Sequence, residues 1–374
     1  MTRHSLPSQS GRRHVASLAN QVVLLLGLAS AGLFTPQPCH AGFKFAGDLI
    51  TPVDNHTATL LQDGRVLVAG GADDGLANAT NKAELYDPST RTWTSTGDMT
   101  VARFIHGAIL LPDGKVLVMG GRDQQGNILS SAEIYDPATG TWALTGSLAQ
   151  GRFESHPVLL QSDKVLVAGG SSDGTSAELY DPATGAWTAT ASLNLPRNIG
   201  FRMTLLSSGD VLIAGGFNSS VIAEIYYPSS GTWSTTGSMT APRFAYTQTL
   251  LADGRVLVAG GLNNSFQVIA SAEIYNPANG FWTRTTGLKT ARAIHTANLL
   301  PDGSVFVAGG ANSTGELASA EIYDPTAGHW RLLRETLHFA REAHTTTTLP
   351  DGSLLLAGGS DNAAAVSAAE LYVP

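Results

Sequence analysis

Seven pairs of adjacent glycines divide this chain into near-equal lengths. They fall at Gly70-Gly71, Gly120-Gly121, Gly169-Gly170, Gly215-Gly216, Gly260-Gly261, Gly309-Gly310 and Gly358-Gly359, with spacings of 50, 49, 46, 45, 49 and 49 residues. A period of this length belongs to stacked or radial repeats, each one supersecondary unit that cannot bury its apolar face alone. The stretch before each pair reads as a β-hairpin. In His106 to Gly121 the apolar run Ile109–Leu111 meets Pro112-Asp113-Gly114, and Val116–Met119 follows. Asp-Gly between two apolar runs signals a tight turn, because glycine accepts the positive φ such turns need.

Each unit offers four short strands. In the unit just described the third is Ala132–Tyr135, and Asp136-Pro137-Ala138-Thr139-Gly140 turns the chain into a fourth beginning at Trp142. Proline one place into that turn and glycine at its end favour a sharp reversal. No segment has a helical apolar period. Four strands in each of seven units imply an all-β fold, a seven-bladed propeller of four-stranded antiparallel blades, in which radial repetition protects the sheet edges.

An apolar run ending in Gly-Gly, then a tyrosine, then a tryptophan, resembles the kelch repeat across nearly all of residues 43–374. The tyrosines are Tyr86, Tyr135, Tyr180, Tyr226, Tyr275, Tyr323 and Tyr372, and the tryptophans Trp93, Trp142, Trp187, Trp233, Trp282 and Trp330. The resemblance implies the propeller and says little about activity, since kelch propellers serve many functions. Galactose oxidase and its relatives are similar in fold, but their copper site needs a tyrosine crosslinked to cysteine. Here Cys39 is the only cysteine and precedes the repeats. No metal and no cofactor is therefore expected.

The last repeat stops at Val373-Pro374 without its fourth strand. Phe43–Leu49 matches Trp93–Met99 fifty residues on, so this N-terminal strand is expected to close the ring as the outer strand of the seventh blade. Residues 1–41 read as a signal peptide: Arg12-Arg13 flank an apolar Val22–Leu28, and small residues follow at Ala29-Ser30-Ala31 and at Cys39-His40-Ala41. The propeller should then occupy 42–374, exported to the periplasm or the cell exterior, with no membrane insertion after cleavage. Three of the 22 basic residues and none of the 30 acids lie in that leader, which leaves 19 against 30 and a net charge of −11 for the rest. An acidic body without a basic run argues against nucleic acid.

Internal repeats separate scaffold from site. Glu84, Glu133, Glu178, Glu224, Glu273, Glu321 and Glu370 hold one position in every blade. Arg103, Arg152, Arg197, Arg243, Arg292 and Arg341 recur in the loops before the first strands, where blade one has Val53. A buried carboxylate needs a cation or several N–H donors, so a ring of Glu–Arg contacts is expected. Just after these arginines, near the channel mouth, the blades read His56, His106, Ser155, Phe201, Tyr246, His295 and His344. Each histidine is expected to hydrogen-bond its own turn.

The variable loops after the glycine pairs, such as Arg122–Gln125 and Leu262–Phe266, should share a face with the arginine loops. Arginine, histidine, amides and aromatics suit a protein or glycan partner. The candidate ligand-binding residues are Arg103, His106, Arg152, Arg243, Tyr246, Arg292, His295, Arg341 and His344. No phosphate loop, HExxH motif or GxSxG nucleophile elbow is present, and no catalytic residue is assigned. The expected function is an exported scaffold that binds protein or carbohydrate through its loop face. The alternative is a sugar-converting enzyme, similar to periplasmic mutarotases, with acid/base groups at the channel mouth.

Overall fold

The computed structural model describes residues 42–73, 78–154, 156–217, 221–362 and 364–374. The leader with Cys39, the loop residues Asp74, Gly75 and Asn218–Ser220, and Ser155 lie outside the described residues. Seven four-stranded antiparallel sheets follow one another as blades. Blade one is Thr57–Leu60, Val66–Ala69, Ala83–Asp87 and Thr92–Ser95, running from channel to rim. Two short hairpins, Ala311–Asn312 with Gly315–Glu316 and Ser360–Asp361 with Ala364–Ala365, decorate the loops of blades six and seven. The described residues include no helix long and apolar enough to cross a membrane.

The turn chemistry explains each reversal. Gly114 N–H donates to the Leu111 carbonyl, and Asp113 Oδ1 accepts from the Lys115 N–H at 3.1 Å. At the glycine pairs the cause is close approach. A Cβ on Gly120 would lie 2.3 Å from the Arg152 carbonyl oxygen, and Gly121 N–H donates to that oxygen at 2.7 Å. The next blade's arginine loop thus passes directly over the pair, and only glycine leaves it room.

Apolar burial sits between blades. Leu67, Leu85 and Met99 of blade one pack on Val116, Val118 and Tyr135 of blade two. Every other neighbouring pair of blades encloses a cluster of the same kind. The second strand, such as Val66–Ala69, is buried throughout because both of its faces meet a neighbouring blade. This is why it reads as an unbroken apolar run rather than an alternating one.

Gly42–Asp48 pairs antiparallel with Ala368–Val373 and completes the seventh blade. Phe43 lies opposite Tyr372, as Trp93 lies opposite Tyr86. The Phe43 and Tyr372 rings sit 5.2 Å apart, against 5.0 Å for Tyr86 and Trp93. Ala46 and Leu49 are buried in the cluster between blades seven and one, so the first described strand bridges the two ends of the chain.

Candidate ligand site at the channel mouth

The recurring arginines and glutamates form buried pairs. Arg103 Nη2 meets Glu133 Oε1 at 3.0 Å, and the same contact joins Arg152 to Glu178, Arg197 to Glu224, Arg243 to Glu273, Arg292 to Glu321 and Arg341 to Glu370. Nη1 of Arg103 also donates to the carbonyls of Gly120 and Ser131. Glu133 accepts the Thr100 and Val101 N–H groups of the preceding connection, so each pair clamps one blade to the chain arriving from the last. Blade one, with Val53, has no such arginine. Glu84 instead accepts the Ile50 and Thr51 N–H groups that follow the closing strand.

This places Arg103, Arg152, Arg243, Arg292 and Arg341 inside the blades, with no side-chain surface open to solvent. They clamp each blade to the incoming chain and lie closed off from the loop surface. The reason is electrostatic: a carboxylate inside a sheet requires its cation nearby. Tyr246 is also fully buried, and its hydroxyl donates to the Ala214 carbonyl at 2.6 Å.

The histidines do converge on the channel. His56, His106, His295 and His344 line one cavity of about 470 Å³. Their Nε2 atoms reach away from their own turns. Nε2 of each meets a threonine hydroxyl of the preceding blade: His56 with Thr345, His106 with Thr57, His295 with Thr247 and His344 with Thr296, at 2.9 to 3.1 Å. Burial lowers all four pKa values, that of His56 to about 4, and the neighbouring scaffold arginines add to the effect. The four rings are neutral at physiological pH. The described residues contain no group of three His, Cys, Asp or Glu side chains placed to hold a metal.

Just above them runs a second ring, made of backbone. Asn55, Ile105, Glu154, Gly200, Ala245, Ile294 and Ala343, one per blade, all have φ between 49° and 69°. Six of the seven are not glycine, and two are β-branched isoleucines, for which this region is strained. The gain is a closed circuit around the mouth. Ile105 N–H donates to Asn55 O, Glu154 N–H to Ile105 O, Ala245 N–H to Gly200 O, Ile294 N–H to Ala245 O, Ala343 N–H to Ile294 O and Asn55 N–H to Ala343 O, at 2.9 to 3.4 Å. One link differs. Gly200 N–H donates to the Glu154 carboxylate instead of a carbonyl.

Beside that link the cavity wall loses its symmetry. The channel-facing position reads Thr57, Gly107, His156, Arg202, Thr247, Thr296 and Thr345 around the blades. Arg202 Nη1 contacts His156 Nε2 at 2.8 Å and donates to the Phe201 carbonyl at 2.9 Å. Burial lowers the Arg202 pKa while Glu154 raises it, and burial with Arg202 holds His156 well below its ordinary value. Glu154, His156 and Arg202 were not among the residues picked from the sequence. For His156 and Arg202 the signal was present, one place beyond the histidine position, as the two blades that break a run of threonine and glycine.

The loop face carries a separate feature. Phe217, Phe244 and Phe266 form a triangle with ring centroids 5.4 to 5.5 Å apart, and Phe266 is 63% exposed. Asn263 Oδ1 accepts the Ser265 and Gln267 N–H groups and holds the loop that presents Phe266. Across the mouth, the Arg122 guanidinium stacks 4.2 Å from the Phe153 ring. Larger open grooves of about 780 and 710 Å³ lie on the opposite face, at the hairpin turns of blades four to six. Their lining is surface turn, with Arg255 already paired to Asp253 at 2.7 Å.

The Kelch motif matches residues 56–100, 108–148 and 297–336, which span blades one, two and six. The chain is a seven-bladed propeller that carries Kelch motifs in three places. Among solved structures, one titled a novel fungal alcohol oxidase of the AA5 family, in complex with copper, superposes on the Kelch propeller with a TM-score of 0.74. The two are 18% identical, and the match covers 89% of this chain and 76% of that one. At that identity the likeness is one of fold. No curated protein matches the sequence.

Proposed function

We propose that the Kelch propeller is an exported binding module that takes a protein segment on its loop face. The observation that carries this is the Phe217–Phe244–Phe266 triangle, a three-ring apolar anchor with one ring held out to solvent. Exposed aromatic clusters rimmed by polar groups are the usual centres of protein interfaces. The Asn263 and Gln267 amides and the Arg122–Phe153 stack supply such a rim. Rigid blades beneath these loops fix the rings in place, so little ordering would oppose binding.

Conversion of a sugar at the channel mouth is the second reading, and it draws on Glu154, His156 and Arg202 sharing one cavity. It is the less supported. The Glu154 carboxylate closes the backbone circuit, and the neutral histidines are engaged by threonines, so no group stands free as an acid/base pair.

The test is a displayed-peptide screen run beside a glycan array, both on the purified protein, with Phe266→Ala as control. Peptide hits that share an apolar residue and weaken at least tenfold in F266A support the proposal. Hits confined to glycans, or peptide hits indifferent to F266A, overturn it.

A further inference from the structure

The six clamp arginines each have a glutamate, and Arg202 has none. No carboxylate lies within ion-pair distance of it among the described residues. Its two hydrogen bonds, to His156 and to the Phe201 carbonyl, both use Nη1. The Nε–Nη2 edge donates to none of the described residues, and Arg202 lines the channel cavity. That edge is the one that matches a carboxylate with two parallel N–H bonds. A partly buried cation with no carboxylate in direct contact is costly, and an anion arriving in the cavity offsets the cost.

We propose that the channel cavity binds a small organic monocarboxylate, gripped by the free edge of Arg202. The size of the charge follows from the wall. One guanidinium matches one negative charge, and the Glu154 carboxylate on the same wall opposes a second. The remaining lining is uncharged and mixed, with the four imidazoles and Thr57, Thr296 and Thr345 beside Ile105, Pro157 and Ile294, which suits a small organic acid rather than a second charge. His156 fixes the guanidinium from behind, so its free edge keeps one orientation. This site is independent of the loop-face phenylalanines.

Trifluoroacetate is the direct probe, followed by its ¹⁹F linewidth, with lactate, propane-1,2-diol and inorganic phosphate as competitors. Saturable broadening that lactate reverses and propane-1,2-diol does not is the expected result. Arg202→Met should weaken it at least tenfold, Arg202→Lys should retain part of it, and Phe266→Ala should leave it unchanged. On the unmodified protein, lactate should also slow phenylglyoxal modification of Arg202, read by peptide mass, without slowing that of surface Arg255. This second arm stands if R202M fails to fold. Absence of saturable broadening, broadening that survives R202M, unprotected Arg202, or stronger competition by phosphate than by lactate would each overturn the proposal.

Discussion

Replacing Arg243 by methionine tests whether the Glu–Arg clamps hold the blades together. Arg243 Nη1 donates to the Gly260 and Ser271 carbonyls at 2.9 Å each, and Nη2 reaches Ser271 Oγ at 3.2 Å and Glu273 Oε1 at 3.0 Å. Both side chains are fully buried. Methionine roughly fills the stem volume but leaves the Glu273 carboxylate with only the Thr240 and Ala241 N–H groups. Breaking a buried pair by removing one partner costs about 3–5 kcal/mol, most of it the uncompensated charge. Arg255→Met is the matched control: its pair with Asp253 is exposed, and such pairs contribute about 0–1 kcal/mol. Urea unfolding followed by tryptophan fluorescence should show R243M shifted far to low denaturant and R255M nearly unmoved. Adding Glu273→Gln to R243M should recover part of the loss, because a neutral amide is cheaper to bury. Blade one sharpens the test, since Glu84 there survives on two N–H donors alone. If R243M costs under about 1 kcal/mol, two backbone donors suffice in every blade, and the clamp argument fails.

The tyrosines give an internal contrast. Tyr135 OH bonds Thr96 Oγ1 at 2.8 Å, whereas buried Tyr86 OH finds no partner, because Ala46 of the closing strand stands where five of the other blades have threonine. Tyr135→Phe should cost about 1 kcal/mol and Tyr86→Phe nothing or a slight gain; equal losses in the urea midpoint would refute the assignment. Stability should also fall as pH drops below the ordinary histidine value. The folded state keeps His56, His106, His295 and His344 neutral, while the unfolded chain protonates them near pH 6.5. Their contribution is complete above that pH and declines toward pH 4, by at most ~1.4 kcal/mol per unit per histidine. A urea midpoint unchanged between pH 7.5 and 5, or a decline no shallower in His106→Asn, would show that these rings are not neutral by burial.

The fold was legible because its determinants are local and repeated seven times. Asp-Gly turns, Gly-Gly approaches and the Phe43–Leu49 match each need only a few neighbouring residues, and each holds in the structure. The clamps were legible as pairs, since a carboxylate and a guanidinium recurring in step have few other reasons to do so. What the pattern concealed was their consequence. An arginine present in six blades belongs to the scaffold by the same logic that assigned the glutamates, and its burial removes it from the ligand face. The left-handed circuit at the mouth was hidden for a different reason. Ile105, Ala245 and Ile294 carry no preference for positive φ; they adopt it because hydrogen bonds from both neighbouring blades impose it, and those neighbours lie 45 or more residues away in sequence. Asymmetry, finally, is where a site can be sought in a near-symmetric ring. Blades three and four open the two shortest repeats, replace a carbonyl link with the Glu154 carboxylate, and put His156 and Arg202 where five other blades have threonine or glycine. A propeller that only needed to close would gain nothing from an unpaired guanidinium in its channel, so the departure from repetition is the reason to look for a ligand there.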